Sequence, residues 1–494
     1  MGFSTVFSRA VYGMRAIEVH VEVHLSAGLP RFAIVGLPET VVKESKDRVR
    51  SAILMSHFKF SGRRLTVNLA PADVPKEGGR FDLAIAMGIL LASHQLPKTT
   101  ENRYEFIGEL ALSGELRPIS SCLPIAIAAA ASQRALILPQ ANAEEAALVE
   151  GLMIYPAQTL LQVCQHITGQ QLLPVYQKPA ETVTIRYPDL ADVKGQAYAK
   201  YALEIAAAGG HSLLMTGTPG SGKSMLATRL PGILPPLQPD QAYETAVVGS
   251  MMQKLDPKRW LQRPFRSPHH GASAVALVGG GNPPKPGEIS LAHHGILFLD
   301  ELPEFQRQAL EMLREPMESG HIMISRAGHQ MMFPANFQLI AAMNPCPCGY
   351  LGDKLVECRC NPSQISRYQS KLSGPLLDRI DLHLTVPRLS LTDMTQNQAS
   401  EHSDAVRSRV ILCHRAQLSR QQKLNSRLTA AEVNRYCQLD EKTKAAFLLL
   451  LEKLQVSVRV YHKALKVART VADLQAKTDI ELVDLQQALQ FRVL

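Results

Sequence analysis

Gly217-Thr218-Pro219-Gly220-Ser221-Gly222-Lys223-Ser224 has the G-x-x-x-x-G-K-[ST] spacing of a P-loop. In that motif backbone N–H groups cradle phosphates, the lysine reaches the β- and γ-phosphates, and the hydroxyl coordinates Mg²⁺. The flanks agree with it. Ser212 to Thr216 is a short apolar run that predicts a buried strand, and Met225-Leu226-Ala227 opens a helix. The phosphates would then lie at a helix N-terminus, where unpaired N–H groups and the dipole favour anions. Strand, glycine-rich loop and helix in this order predict an α/β core that binds a nucleoside triphosphate.

Downstream, Gly295 to Leu299 is an apolar run ending in Asp300-Glu301. A buried central strand explains the run, and the ligand crevice opens at the end of such a strand. After a P-loop this reads as the Walker B element, with Asp300 holding Mg²⁺ and Glu301 polarising the attacking water. A further apolar strand, Phe337 to Met343, ends at Asn344, a polar group able to sense the γ-phosphate or simply to form the turn before Pro345. Gly374-Pro375-Leu376-Leu377-Asp378-Arg379-Ile380-Asp381 reads as an apolar helix presenting Arg379, which either pairs with a neighbouring aspartate or, in a ring, reaches the adjacent subunit's γ-phosphate. The second role requires an oligomer.

The chain has 494 residues, room for about three domains, with 46% hydrophobic and 20% charged residues, as in a soluble globular protein. Its formal charge of +9 favours a polyanionic partner such as nucleic acid. There is no charged-then-apolar leader and no run of about 18 apolar residues, so the expectation is a cytoplasmic protein without a membrane partner.

In the first part, Ile17, Val19, Val21, Val23 and Leu25 alternate with Glu18, His20, Glu22 and His24, which predicts a half-buried strand with a solvated His/Glu face. Val41–Ser56, Phe81–Ala92 and Leu123–Ala131 read as helices and Leu65–Ala70 as a strand. Asn68-Leu69-Ala70-Pro71 with Pro75 to Asp82, followed by Gly108 to Ile119, resembles the two signatures of Lon-type proteolytic domains. That family pairs a serine nucleophile with a lysine base. By the local match, Arg80 stands at the serine position and Leu123 at the lysine position, so the resemblance implies a Lon-like fold without peptidase chemistry.

The motor elements, with Gly210 to Leu214, Phe265 to His270, Gly287 to His293 and Lys371 to Arg379, are similar to the YifB/ComM group within the magnesium-chelatase clade of AAA+ ATPases. The resemblance covers nearly the whole chain. It implies an α/β fold: a Lon-like domain over 1–175, a linker over 176–196, an AAA+ ATPase core over 197–390 and a C-terminal helical lid over 391–494. It also implies a homo-hexamer that uses ATP and Mg²⁺ to move single-stranded or branched DNA, branch migration in natural transformation, and recombination proteins as further partners. Arg459 occupies the clade's sensor 2 place, with Arg469 the alternative. A chelatase-like ATPase acting on a protein partner is the competing function.

Two inserts could meet DNA or be ordinary surface loops. One is the turn-rich Val278–Gly287 with Lys285; the other is Ile322–Phe333, which reads as two strands about a short turn, with Arg326 and His329 near its tip. The resemblance makes these three residues candidates for contacts with DNA phosphates. Of eight cysteines, Cys346, Cys348, Cys358 and Cys360 form two C-x-C pairs. Four thiolates suit a structural tetrahedral Zn²⁺, with free thiols or redox sensing as alternatives. From about residue 400 the chain is helical, its apolar stripe beginning at Ala405 and Val406 and running through Val410 and Ile411.

Overall fold

The computed structural model describes every residue except 1, 37–39, 98–102, 179–185, 282–283, 327–328, 354, 389–399, 455–457 and 493–494. Contacts divide it into two compact units: Met1–Val183 with Ala246–Trp260, and Thr184–Thr245 with Leu261–Leu494. The expected division at 390/391 falls outside the described residues.

The first unit is built on a mixed seven-stranded sheet. Its strands are β1 (Gly2–Tyr12), β2 (Arg15–Ser26), β3 (Arg31–Val35), β4 (Arg64–Ala70), β5 (Tyr104–Phe106), β6 (Ala135–Pro139) and β7 (Ile154–Ala157), in the order β3-β4-β2-β1-β5-β6-β7. β1 and β2 pair antiparallel over their whole length. The alternation read in β2 is that of one buried face, with Val19, Val21 and Val23 fully buried. On the other face Glu18 and His20 pair with each other. Helices α1 (Thr40–Met55), α2 (Asp82–Ala92) and α3 (Cys122–Ala131) complete this layer, and α2 is buried along its whole length.

The segment Ala246–Trp260 belongs to this unit although it lies between the P-loop and Asp300 in sequence. Ala246 and Val247 pack on Leu123 and Leu148. The Leu123 N–H donates to Glu145 Oε1 at 3.0 Å, and the Ser250 hydroxyl donates to the same carboxylate. Burial raises the pKa of Glu145.

The second unit holds a five-stranded parallel sheet, β9-β10-β13-β8-β14. Its strands are β8 (Leu213–Gly217), β9 (Phe265–Arg266), β10 (Ile296–Leu299), β13 (Gln338–Met343) and β14 (Leu382–Val386). Parallel strands covered on both faces read as continuous apolar runs, the pattern that marked β8, β10 and β13 in the sequence. Between β10 and β13 stands the antiparallel hairpin β11 (His321–Arg326) and β12 (His329–Pro334).

Helix α4 (Ala197–Gly209) leads into β8 and α5 (Lys223–Ile233) leaves the P-loop. Among the later helices are α6 (Pro362–Gln369), α7 (Ser403–Gln421), α8 (Ala430–Tyr436), α9 (Glu441–Lys453), α10 (Val458–Leu474) and α11 (Leu482–Gln490). Val406 and Val410 of α7 and Ala464, Ala468 and Val471 of α10 share one apolar cluster with Leu213, Ile296 and Ile340 of the sheet. Core and C-terminal helices therefore have a common interior. Among the described residues no helix is long and apolar enough to cross a membrane.

Candidate nucleotide site

The C-terminal ends of β8, β10 and β13 converge, and each delivers one of the polar groups singled out in the sequence. The loop after β8 turns twice through left-handed glycines, Gly220 (φ +75°) and Gly222 (φ +88°), a conformation that a side chain disfavours. Gly222 is the N-cap of α5 and offers no side chain to its first N–H groups, which leaves them as donors. At Gly220 a Cβ would meet nothing within 4 Å. Gly217 is different: a Cβ there would lie 2.4 Å from the Val386 carbonyl, so close packing on β14 demands glycine.

Lys223 is buried and folds back on its own loop. Its Nζ donates to the carbonyls of Gly217 (2.7 Å) and Thr218 (3.0 Å) and to Asn344 Oδ1 (3.3 Å). Burial lowers its pKa, against the opposing pull of Asp300 and Glu301. The Ser224 hydroxyl donates to Asp300 Oδ2 at 2.6 Å, and the Glu301 N–H donates to Asp300 Oδ1 at 2.9 Å. Pro219 and Ser221 complete the loop, and Thr218 Oγ1 and Ser221 Oγ are buried without a hydrogen-bond partner. Orphaned hydroxyls, free helix N–H groups and a serine–aspartate pair suited to hard cations form a donor set that fits a triphosphate with Mg²⁺.

Three neighbours of this site carried no role in the sequence reading. His270 Nδ1 lies 3.0 Å from Glu301 Oε2 and holds a residue whose own backbone is left-handed (φ +52°). The Gln196 side chain donates to the Ser221 carbonyl at 2.7 Å. Tyr368 of α6 is buried, hydrogen-bonds the backbone of Asn344 and has its pKa pushed up to about 12, chiefly by burial. His270 sits in a run already quoted for its resemblance, but only the fold brings it to Glu301.

The cysteine loop begins two residues after Asn344 and lies against the P-loop. Cys346 Sγ is 3.4 Å from Cys348 Sγ and 3.6 Å from Cys358 Sγ; Cys348 and Cys358 are 3.6 Å apart, and the Cys348 N–H donates to Cys360 Sγ. All four sulfurs lie within 4.8 Å of one another. Tetrahedral Zn–S bonds of about 2.3 Å put sulfurs about 3.8 Å apart, so the four thiols fit zinc. Gly349 (φ +87°) faces the P-loop so closely that a Cβ would lie 2.7 Å from Pro219 Cγ and Cδ.

A second cluster, Glu244 with His293 and His294, is a hydrogen-bond network. His293 Nε2 and His294 Nε2 approach Glu244 Oε2 at 3.0 and 2.7 Å. His293 Nδ1 accepts the Asn336 N–H, which leaves the proton on Nε2. Burial drives the His293 pKa down to about 4.

Arg379 stands apart from these groups. It lies just beyond the single helical turn Gly374–Leu377, where its Nη2 meets Glu318 Oε1 at 2.6 Å and its Nη1 donates to the Pro375 carbonyl. Its backbone is fixed by Ser212, whose hydroxyl donates to the Arg379 carbonyl and accepts the Asp381 N–H. Asp381 is in turn held by Lys463 of α10 (2.8 Å) and His211 (3.2 Å), which keep its pKa far below the carboxylate range. Arg459 lies one turn before Lys463 on α10, its side chain outside the described residues. Arg469 is buried and committed to Asp473 and to the carbonyls of Lys477 and Thr478.

Lys285 is exposed and pairs through its backbone with Gly280 in a short ladder. Arg326 and His329 face each other at the tip of β11–β12, with side chains outside the described residues. In the first unit Arg80 lies in a short 3₁₀ turn with Nη1 buried and unpaired, and Leu123 is fully buried.

Family models match along the chain: magnesium chelatase, subunit ChlI, over residues 189–394; subunit ChlI of Mg-chelatase over 21–142; and the subunit ChlI C-terminal model over 400–492. Competence protein ComM of Haemophilus influenzae is 50% identical over all of this chain and 98% of its own length. YifB of Escherichia coli is 46% identical with the same coverage. Lon protease 2 of Bacillus subtilis is 26% identical over 34% of this chain and 33% of its own.

Proposed function

The chain belongs to the YifB/ComM family of magnesium-chelatase-like AAA+ proteins, and from that premise we propose that it is an ATP-driven motor that moves DNA junctions as a homo-hexamer. The observation that carries the ATPase part is the convergence of Lys223, Ser224, Asp300 and Asn344 within hydrogen-bond range at the ends of three parallel strands. Lys223 and the α5 N-terminus bind the phosphates, with Gly217, Thr218, Pro219, Gly220, Ser221 and Gly222 forming the cradle. Ser224 and Asp300 would hold Mg²⁺, which would supply neutralisation of the phosphate charge. Glu301, steadied by His270, takes the proton of the attacking water, and Asn344 orients that water.

Arg379 acts on the neighbouring copy's nucleotide after exchanging Glu318 for the γ-phosphate. Arg459 serves as sensor 2, a reading supported by the full commitment of Arg469 to its own helix end. Cys346, Cys348, Cys358 and Cys360 would hold a zinc ion, which would close their loop and brace it against the P-loop. Lys285, Arg326 and His329 face DNA phosphates, the net charge of +9 supports a polyanionic substrate, and the relative named for competence supports a role in natural transformation. The first unit contributes assembly or partner contacts without peptidase chemistry.

The test is ATP-dependent branch migration on a labelled four-way or three-stranded junction, with Lys223→Ala and Glu301→Gln controls and a salt series. Product from the intact protein alone, with binding that weakens as salt rises, supports the motor. ATP turnover without binding or movement of any junction refutes it. The family's chelatase descriptions favour a second reading, a protein client, which predicts ATPase stimulated by that protein and indifferent to DNA.

A further inference from the structure

At the opposite ends of the ATPase strands, where the chain enters β8, β10 and β13, lies a cavity of about 520 Å³. Its walls include Gly210, Gly295 and Gln338 from the starts of these strands and the last turns of α7. β8, five residues long, runs from this end to the P-loop, roughly 16 Å at about 3.3 Å per residue. The cavity is therefore distinct from the nucleotide site.

The lining is one-sided in charge. Arg263, Arg415, Lys423 and Arg427 face it, and the described lining residues include no aspartate or glutamate. Lys423 is neutralised by Glu432 at 2.7 Å. The three arginines have no such partner among the described residues. Arg263 gives Nε and Nη2 to the Pro235 carbonyl and one Nη1 hydrogen to His294 O, leaving two of its five donors. Arg427 gives one hydrogen to Met317 O and one to Asn336 Oδ1, leaving three. Arg415 is exposed at the rim.

Carbonyl partners satisfy hydrogen bonds but leave net charge in place. Taking an ion out of water is unfavourable unless an opposite charge offsets it. Burial lowers the pKa of Arg263 to about 10 and also lowers that of Arg427, yet a guanidinium remains charged at neutral pH. Asp381 acts on Arg427 only from a distance and is itself claimed by Lys463. An anion in the cavity would relieve this imbalance, and paired guanidinium forks match the geometry of phosphate oxygens.

We propose that this cavity binds a small phosphorylated ligand of nucleotide size, held by Arg263, Arg415 and Arg427. Such a ligand touches the strand starts on one side and α7 on the other, so its occupancy ties the C-terminal helices to the ATPase sheet. The site does not depend on the DNA-motor reading.

Calorimetric titration of inorganic pyrophosphate into the full-length Lys223→Ala protein reads the site with the P-loop disabled. The expected result is saturation at one site, weakened at least tenfold by adding Arg415→Glu or Arg427→Lys. Arg415 makes no described contact, so its reversal tests charge without loss of a structural bond. In protein with an intact P-loop, Arg415→Glu should leave the affinity for fluorescent ATP unchanged. No saturable pyrophosphate binding, or binding indifferent to both substitutions, overturns the proposal. A parallel titration with a single-stranded oligonucleotide separates the sources: if Arg415→Glu weakens only DNA binding and pyrophosphate never binds, the cavity is a backbone contact for DNA and the small-ligand site is refuted.

Discussion

Replacing Gly349 by alanine tests whether the cysteine loop braces the nucleotide site. Two costs arise. The residue sits at φ +87°, where an L side chain costs about 1–2 kcal/mol. The new methyl would also lie 2.7 Å from Pro219 Cγ and Cδ, roughly 1 Å inside the usual carbon–carbon separation of about 3.5–4.0 Å. The proline ring is rigid, so the P-loop backbone must yield with it. A shift near 1 Å at the phosphates costs on the order of 10²-fold in turnover. Gly352 supplies the control, because it is also left-handed (φ +78°) but a Cβ there would meet nothing within 4 Å. ATP turnover and fluorescent-ADP affinity should collapse in Gly349→Ala and stay near native in Gly352→Ala, with equal zinc content in both. If the two variants lose activity equally, the loop carries strain alone and its contact with Pro219 contributes nothing.

Glu301→Gln should retain ATP binding while turnover falls about 10²- to 10⁴-fold, measured by equilibrium binding beside phosphate release. Arg379→Ala should lower turnover about 10³- to 10⁵-fold yet leave nucleotide affinity intact, and mixing it with Lys223→Ala protein should restore activity at shared interfaces. Elemental analysis should find one zinc per chain, and Cys358→Ser should lose it and lower the melting temperature. His293 titrates near 4 in the folded chain and near 6.5 when unfolded, so folding favours its neutral form. Its contribution is complete above about pH 6.5 and is lost as pH falls towards 4, by up to about 3 kcal/mol; melting curves across that range should show a smaller acid slope in His293→Gln.

What the sequence disclosed was whatever repeats locally. The alternation of β2, the apolar runs of β8, β10 and β13 and the P-loop glycines each encode their own geometry over fewer than a dozen residues, and the fold realises them with boundaries moved by a residue or so. The two strands β11 and β12 were legible for the same reason and pair antiparallel, while the turn expected at Ala327-Gly328 lies outside the described residues. Contacts between distant segments were not. Nothing in Ala246 to Trp260 announces that it packs on Leu123, because its apolar residues suit any interior. His270 beside Glu301 and Gly349 against Pro219 likewise depend on loops brought together by the sheet. Arg379 was expected on an apolar helix; the helix is a single turn ending at Leu377, and the arginine's backbone is set by Ser212.

The surroundings of Leu123 bear on ancestry. Ala246 and Val247 seal it, and its N–H and Ser250 occupy the Glu145 carboxylate. A lysine introduced at 123 would place its ammonium in an apolar cluster whose nearest acid is already engaged, and the uncompensated charge would destabilise the fold. A lineage that once carried a serine–lysine pair here could not regain it by reverting Arg80 and Leu123 alone. The segment bearing Ala246 would have to change as well, so the substitutions form an evolutionary ratchet in which later packing bars the way back.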